Sequence, residues 1–396
     1  MPRILRILNR LNIGGPTYNV AYLSRYLDPS FQTMVLAGNK EPYEGNSDYI
    51  LKDLGVAFDY VPGMNRSINF RKDMRAYRYI YNMIRTEKPD IVHTHAAKAG
   101  VLGRLAAYRS SGRPRAIVHT YHGNVFDGYF SPIKTKIFLS VERYLCSVSS
   151  AIVAISEKQK DDLVNKYKIA PAHKVHVIKL GFDLRRFTEQ QEEKRAAFRQ
   201  FYRIGEDEVV IVITGRLTAI KNHSLLIGSL SLIRQQAPEL KLKVFVVGDG
   251  ELLDTIISES RDSGFSVCVP GDDNYDAEII FTSWRKDIDV INAGADIVAL
   301  TSLNEGTPVS IIEAQASATA VICTDVGGVK DVVKDGHNGL LTDGTRDVFA
   351  GKLKQLITDA ELRNELALNG KKTALENYSY TRLVAETENL YRYLLS

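Results

Sequence analysis

Two glutamates, Glu305 and Glu313, stand with seven residues between them in the stretch NEGTPVSIIEAQA, residues 304–316. An ionised carboxylate only accepts hydrogen bonds, so a pair of them around one site suits the hydroxyls of a sugar or a ribose. Upstream, Arg216 and Lys221 lie five apart in GRLTAIKN. A guanidinium fork and an ammonium point charge on one turn can both engage a diphosphate. Near the start, Gly14 and Gly15 form a glycine pair that lets backbone come close to a phosphate or a sugar. The spacing is not G-x-G-x-x-G, so a dinucleotide site is not indicated. Four histidines fall in two short segments, His93 and His95 in HTH, His119 and His122 in HTYHG. They lack a carboxylate or cysteine partner at ligand spacing, so no metal site is assigned to them. Asp272 and Asp273 are adjacent acids in an irregular turn. With Arg216, Lys221 and a helix dipole available to offset phosphate charge, no metal or other cofactor is expected there.

These residues need strands and helices to bring them together. Residues 295–302, ADIVALTS, form an apolar run too short for a helix and read as a buried strand. After it, Val309, Ile312 and Ala316 recur at helical spacing, with Pro308 suited to the first helical position. Glu305 and Gly306 then fall in a strand-to-helix turn. Unpaired N–H groups around Gly306, Thr307 and Val309, with the positive end of the helix dipole behind them, make an anion site. Residues 209–215 (VVIVITG) and 243–247 (KVFVV) are further strands, the first running into Arg216 and the second into Gly248-Asp249-Gly250. In the first half, residues 4–8, 31–37, 91–92, 116–118, 151–156 and 175–178 read as strands, and helices are expected over 48–54, 71–88 and 157–168. Both histidine segments lie at the carboxyl end of a strand, where ligands bind in a parallel sheet. Strands alternating with helices place the chain in the α/β class.

E-x7-E, ending in Glu305 and Glu313, resembles the signature of retaining glycosyltransferases of the two-domain GT-B fold, in the large family 4 type that includes bacterial enzymes of cell-surface glycans. GRLTAIKN resembles that family's diphosphate-binding segment, and the T-x-H-G ending at His122 resembles the segment whose histidine lies near the transferred sugar. LGFDLRRF, residues 180–187, is similar to the interdomain turn N-G-V-D-x-x-x-F, with Leu180 in place of Asn. A second departure is ASATA, residues 316–320, where the family has A-x-G-x-P. The resemblance implies two Rossmann-like domains facing across a cleft. Residues 1–180 would form the acceptor side, residues 181–379 the nucleotide-sugar side, and residues 380–396 a last helix crossing back to the first domain. It further implies transfer, with retained anomeric configuration, of a hexosyl or N-acetylhexosaminyl group from a nucleoside diphosphate sugar, UDP-sugar favoured. The acceptor would be a glycan, including one carried on a lipid diphosphate. On this reading Arg216 and Lys221 take the diphosphate, Glu313 the ribose, and Glu305 and His122 the sugar, while the loop of Gly14 and Gly15 faces the donor phosphates and the acceptor. A non-hydrolysing sugar-nucleotide epimerase, which shares the fold, is the alternative. Trp284, the single tryptophan, is open to base stacking or core packing.

Composition bounds the partners. At 396 residues, two domains are the default. Three scattered cysteines, Cys146, Cys268 and Cys323, give no disulfide framework, in keeping with a reducing compartment. No apolar run reaches the roughly 18 residues of a membrane span. Arg3, Arg6 and Arg10 break up the first apolar segment, so no signal peptide is read and a cytoplasmic protein is expected. Residues 1–180 hold 27 Lys and Arg against 14 Asp and Glu, a net +13, whereas residues 181–396 carry a net −9. The basic half, with Arg71, Lys72, Arg75 and Arg78 in one helical stretch, suits the anionic inner face of a cell membrane as a peripheral docking surface. No recognition-helix or aromatic-stacking pattern points to nucleic acid.

Overall fold

The computed structural model describes residues 1–11, 15–39, 47–65, 67–123 and 132–396. Gly14, with Asn12 and Ile13, lies outside the described residues, as does the stretch 124–131 that follows the second histidine segment. The chain divides into two compact units, one of Met1–Phe182 with Tyr378–Ser396, the other Asp183–Asn377.

The first unit is built on strands β1 (Arg3–Leu8), β2 (Gln32–Ala37), β3 (Asp59–Tyr60), β4 (Ile91–His95), β5 (Ala116–Thr120), β6 (Ala151–Ala154) and β7 (Val175–Val177). They form one parallel sheet in the order β3-β2-β1-β4-β5-β6-β7. The second unit repeats the plan with β8 (Val209–Thr214), β9 (Leu242–Val247), β10 (Val267–Cys268), β11 (Ile279–Ser283), β12 (Ile297–Leu300), β13 (Ala320–Thr324) and β14 (Leu340–Thr342), in the order β10-β11-β9-β8-β12-β13-β14. Helices cover both faces of such sheets, so the central strands are buried throughout; β12 (IVAL) is apolar along its length, whereas β4 (IVHTH) and β5 (AIVHT) carry buried His and Thr towards their carboxyl ends. In each sheet the strand order reverses beside the first strand, between β1 and β4 and between β8 and β12. The crevice outside the carboxyl ends at such a point is where doubly wound sheets hold ligands. This is the α/β architecture of the GT-B fold.

The last helix, Tyr380–Leu395, belongs to the first unit. Ser379 caps it by accepting from Arg382 N–H, and Tyr380 stacks on Tyr22 and meets Tyr26 at a tilt, both of the Gly15–Tyr26 helix, at 5.4 and 4.5 Å between ring centroids. Arg382 donates to the carbonyls of Lys179 and Leu180 at 2.6 and 3.0 Å. At Gly181 an added Cβ would come within 2.7 Å of the Ser379 carbonyl oxygen, so only glycine allows this approach. Leu180, where the family pattern has Asn, is buried and faces Gly15.

Some local expectations are corrected. The helix expected over 157–168 is α-helical only over Glu157–Asp161 and continues as a π-helical turn over Asp162–Lys166. The edge strands β3, β10 and β14 are only two or three residues long, too short to give an apolar pattern. Pro308 is the N-cap of its helix rather than the first helical residue.

Candidate functional site

The second unit brings two of the sequence-picked residues into direct contact. β8 ends at Thr214 and the chain turns through Arg216 to a 3-10 turn, Ala219–Lys221. β12 ends at Leu300 and leads to Glu305. Because β8 and β12 are neighbours at the point where the sheet order reverses, the two segments meet. Leu303 N–H donates to the Ile220 carbonyl at 2.8 Å, and the Thr301 hydroxyl donates to the Lys221 carbonyl at 2.8 Å. Lys221 Nζ then lies 2.5 Å from Glu305 Oε1, which also accepts from Ser302 Oγ at 2.6 Å. Ser302 is held in turn by the Thr324 hydroxyl, which donates to its carbonyl at 2.6 Å. The aliphatic part of Lys221 runs along Gly215.

The turn carrying Glu305 and Gly306 rests on Gly327 and Gly328. Gly328 N–H donates to the Glu305 carbonyl at 3.0 Å, and a Cβ at Gly327 would fall 2.0 Å from that same oxygen. Gly327 also has φ +53, so glycine is required there by both approach and conformation. The other face of the turn is open, since a Cβ at Gly306 would meet nothing within 4 Å. The Val309–Ala316 helix follows with no side chain capping its start, and its first N–H groups and Thr307 border that open face.

Glu313 sits on the same helix, half-buried. Burial pushes its carboxyl up to about 7, the Arg186 guanidinium offsetting part of the rise and the Asp289 carboxylate adding to it. Asp289 is itself paired with Lys194 at 3.0 Å. Arg216 is not gathered in: its side chain is 69% exposed, with Glu251 4.0 Å away. Trp284 is 60% exposed, so core packing is ruled out for it. It follows Ser283, whose carbonyl accepts from Gly248 N–H at 3.0 Å and whose hydroxyl lies 3.3 Å from Asp249. Among the described residues no group of three or more His, Cys, Asp or Glu is arranged to hold a metal ion.

In the first unit, Gly15 opens the Gly15–Tyr26 helix beyond β1. His122 follows β5 by two residues and is held from both sides. Tyr121 before it hydrogen-bonds through its hydroxyl to Glu142, a buried carboxylate paired with Arg104 at 2.7 Å. Its own Nε2 lies 3.0 Å from His95 Nδ1 at the end of β4. Burial drops the His122 pKa to about 3, so the ring is neutral at physiological pH. In the Ala97–Arg109 helix a Cβ at Gly100 would lie 2.5 Å from the ring of His119 on β5, so glycine allows that approach.

Family models match both halves of the chain, "Glycosyltransferase Family 4" over residues 13–186 and "Glycosyl transferases group 1" over residues 194–373. The D-inositol 3-phosphate glycosyltransferase of Jonesia denitrificans is 30% identical over 72% of this chain and 67% of its own length. This chain is a family 4 glycosyltransferase. Another relative, the UDP-Gal:alpha-D-GlcNAc-diphosphoundecaprenol alpha-1,3-galactosyltransferase of Escherichia coli, is 27% identical over 87% of this chain and 85% of its length. The crystal structure of Anabaena Alr3699/HepE in complex with UDP superposes with a TM-score of 0.80 at 19% identity, over 99% of this chain and all of that one. Both matching family models are of glycosyltransferases, which favours transfer over the epimerase alternative.

Four features of this glycosyltransferase escaped the sequence reading: Ser302 on Glu305, Arg186 and Asp289 around Glu313, and His95 on His122. Ser302 left a signal as one of two hydroxyl residues ending an otherwise apolar run, and His95 as a histidine at the carboxyl end of a strand.

Proposed function

We propose that this glycosyltransferase moves a hexosyl or N-acetylhexosaminyl group from a UDP-sugar to a glycan acceptor carried on a lipid diphosphate, with retention at the anomeric carbon. The observation that carries the reading is the Lys221–Glu305 contact at 2.5 Å, a cation and a carboxylate at the carboxyl edge of the second sheet beside an uncapped helix start. Lys221 and Arg216 bind the leaving diphosphate together with the N–H groups around Gly306, Thr307 and Val309. Glu305 accepts from the transferred sugar and Glu313 from the ribose, and His122 is likewise assigned to the sugar. Gly15 is assigned to the donor phosphates and the acceptor. The work is electrostatic, since charge develops on the leaving diphosphate and an oxocarbenium-like carbon. Two cations and a helix start offset the phosphate charge, so no metal takes part in this reading.

The donor named for the Escherichia coli relative supports UDP, and its diphosphoundecaprenol acceptor supports a lipid carrier. The surface of the first unit supports work at a membrane face. Ile68 and Phe70 are 89% and 79% exposed beside the exposed Arg71, Lys72, Arg75 and Arg78. Apolar side chains flanked by cations suit an anionic lipid headgroup region. No helix among the described residues is long and apolar enough to cross a membrane; the reading is of peripheral contact at the cytoplasmic face.

The test is incubation with a panel of UDP-sugars and a lipid-diphosphate-linked glycan, with the anomeric configuration of the product read by NMR. Transfer with retention is expected. Conversion of donor without acceptor, or inverted product, would overturn the proposal.

A further inference from the structure

The three rings of His93, His95 and His122 lie in series at the carboxyl edge of the first sheet. The rings of His93 and His95 meet at a tilt of 31° with centroids 4.2 Å apart, and those of His95 and His122 follow at 5.3 Å and 31°. His93 is fixed at both nitrogens, Nδ1 to the Tyr391 hydroxyl at 2.6 Å and Nε2 to Thr120 Oγ1 at 2.7 Å. Tyr391 comes from the last helix and is approached by the buried Arg6 at 3.4 Å. His95 therefore has one ring face set by an immobile neighbour, and its Nδ1 is 3.0 Å from His122 Nε2.

Burial, the other histidines and Arg6 keep His93 and His95 well below their usual pKa, and burial does the same for His122. Two neutral imidazoles sharing one N···N contact hold one proton between them. Among the described residues, the outer nitrogens, His122 Nδ1 and His95 Nε2, are buried without a partner. A buried polar nitrogen left unpaired costs about 1–3 kcal/mol, and such groups in folded proteins call for an explanation. If the shared proton sits on His95, His122 Nδ1 is a donor; if it sits on His122 Nε2, His122 Nδ1 is an acceptor. Either way His122 keeps one polar atom for a ligand and spends the other on His95.

We propose that His95 is a positioning residue, which through its Nδ1 fixes the ring and tautomer of His122 so that His122 Nδ1 is presented to a substrate hydroxyl or oxygen. This rests on the reading that His122 meets the transferred sugar. His93, Thr120 and Tyr391 form the frame that holds His95 in turn.

Two substitutions separate hydrogen bonding from packing. His95→Phe keeps a ring against His93 and removes Nδ1, whereas His95→Asn loses the ring and retains a polar atom near the Nδ1 position. Positioning predicts that His95→Phe lowers kcat about tenfold to a hundredfold with the KM for the UDP-sugar held, and that His95→Asn restores most of it. Activity of His95→Phe near the parent's, or equal loss in both variants, overturns the proposal. Should either variant fail to fold, nitrogen-15 NMR of histidine-labelled parent protein decides instead. One nitrogen of the Nδ1–Nε2 pair must show the protonated type and the other the unprotonated type; the same type at both would overturn it. His122→Ala is the control: normal transfer by that variant would mean that the reading of His122 itself fails, whatever His95 does.

Discussion

Glu313 is where the structure predicts that stability and binding pull in opposite directions. Its carboxyl is moved from the usual 4.5 to about 7 because the helix places it half-buried near a second carboxylate, Asp289. A rise of that size makes the ionised form costlier in the folded chain by about 3 kcal/mol. The sign follows from the unfolded state, which ionises first. Stability is unaffected below the unfolded pKa, falls as pH rises from 4.5 towards about 7, and is level above that. Glu313→Gln keeps the shape and removes the charge, so the variant should gain on the parent as pH rises. Between about pH 5 and about pH 8 the difference should widen by about 2 kcal/mol, or some 5 °C in melting temperature for a unit of this size. Calorimetric melting of both proteins at the two pH values measures it, and other titrating groups cancel in the difference. The same variant should bind UDP about fivefold to tenfold more weakly, since a neutral amide is the poorer partner for ribose hydroxyls. A melting difference that does not change with pH would refute the electrostatic reasoning; an unchanged UDP affinity would refute the ribose role.

Lys221→Ala and Arg216→Ala should each weaken UDP binding about tenfold to a hundredfold, through loss of a charge-assisted contact. Calorimetry showing unchanged affinity in both would remove the diphosphate assignment. Glu305→Gln should lose turnover while binding UDP no worse than the parent, because Lys221 is then released from its carboxylate partner; steady-state kinetics beside a UDP titration reads both. Transfer should persist in excess EDTA, and loss on chelation that Mg²⁺ or Mn²⁺ restores would bring Asp272 and Asp273 back as ligands. The protein should sediment with anionic vesicles at low salt and be released as salt rises, and neutralising Arg71, Lys72, Arg75 and Arg78 together should abolish the effect. Absence of low-salt binding would favour a soluble acceptor.

The architecture was legible because parallel strands buried on both faces leave apolar runs, plain in β8 and β12 and interrupted by a single basic residue in β1 (Arg6) and β9 (Lys243). Glu305, Lys221 and Glu313 were legible as residue types at telling spacings. Their chemistry was not. Lys221 and Glu305 are 84 residues apart, and their contact depends on β8 and β12 being neighbours, which local pattern does not encode. The environment of Glu313 is set by Arg186 and Asp289, which come from two other elements. Trp284 shows the limit in the other direction. An apolar aromatic beside a strand pattern suits a core as well as a ligand, and only its exposure decides.

Net charge is a coarse guide to a local site. Residues 181–396 carry a net −9 yet hold the residues assigned to the diphosphate. The structure shows why the sum does not matter. Much of the charge of this half is taken up in local pairs such as Arg234–Glu278, Arg285–Asp287 and Lys352–Asp335, each within 3 Å and facing solvent in part. Such pairs are neutral at a distance and are screened by salt. What a bound phosphate would feel is the few groups at the end of β8 and β12: Lys221, the start of the Val309–Ala316 helix, and Glu305 against them. Glu305 shares its carboxylate with Ser302, so its hydrogen bonding is divided between a cation and a hydroxyl. On the proposed reading, anion affinity in this unit depends on Lys221, Arg216 and one helix start, with Glu305 opposing them, and the surplus of acids elsewhere bears on solubility and encounter, not on the site.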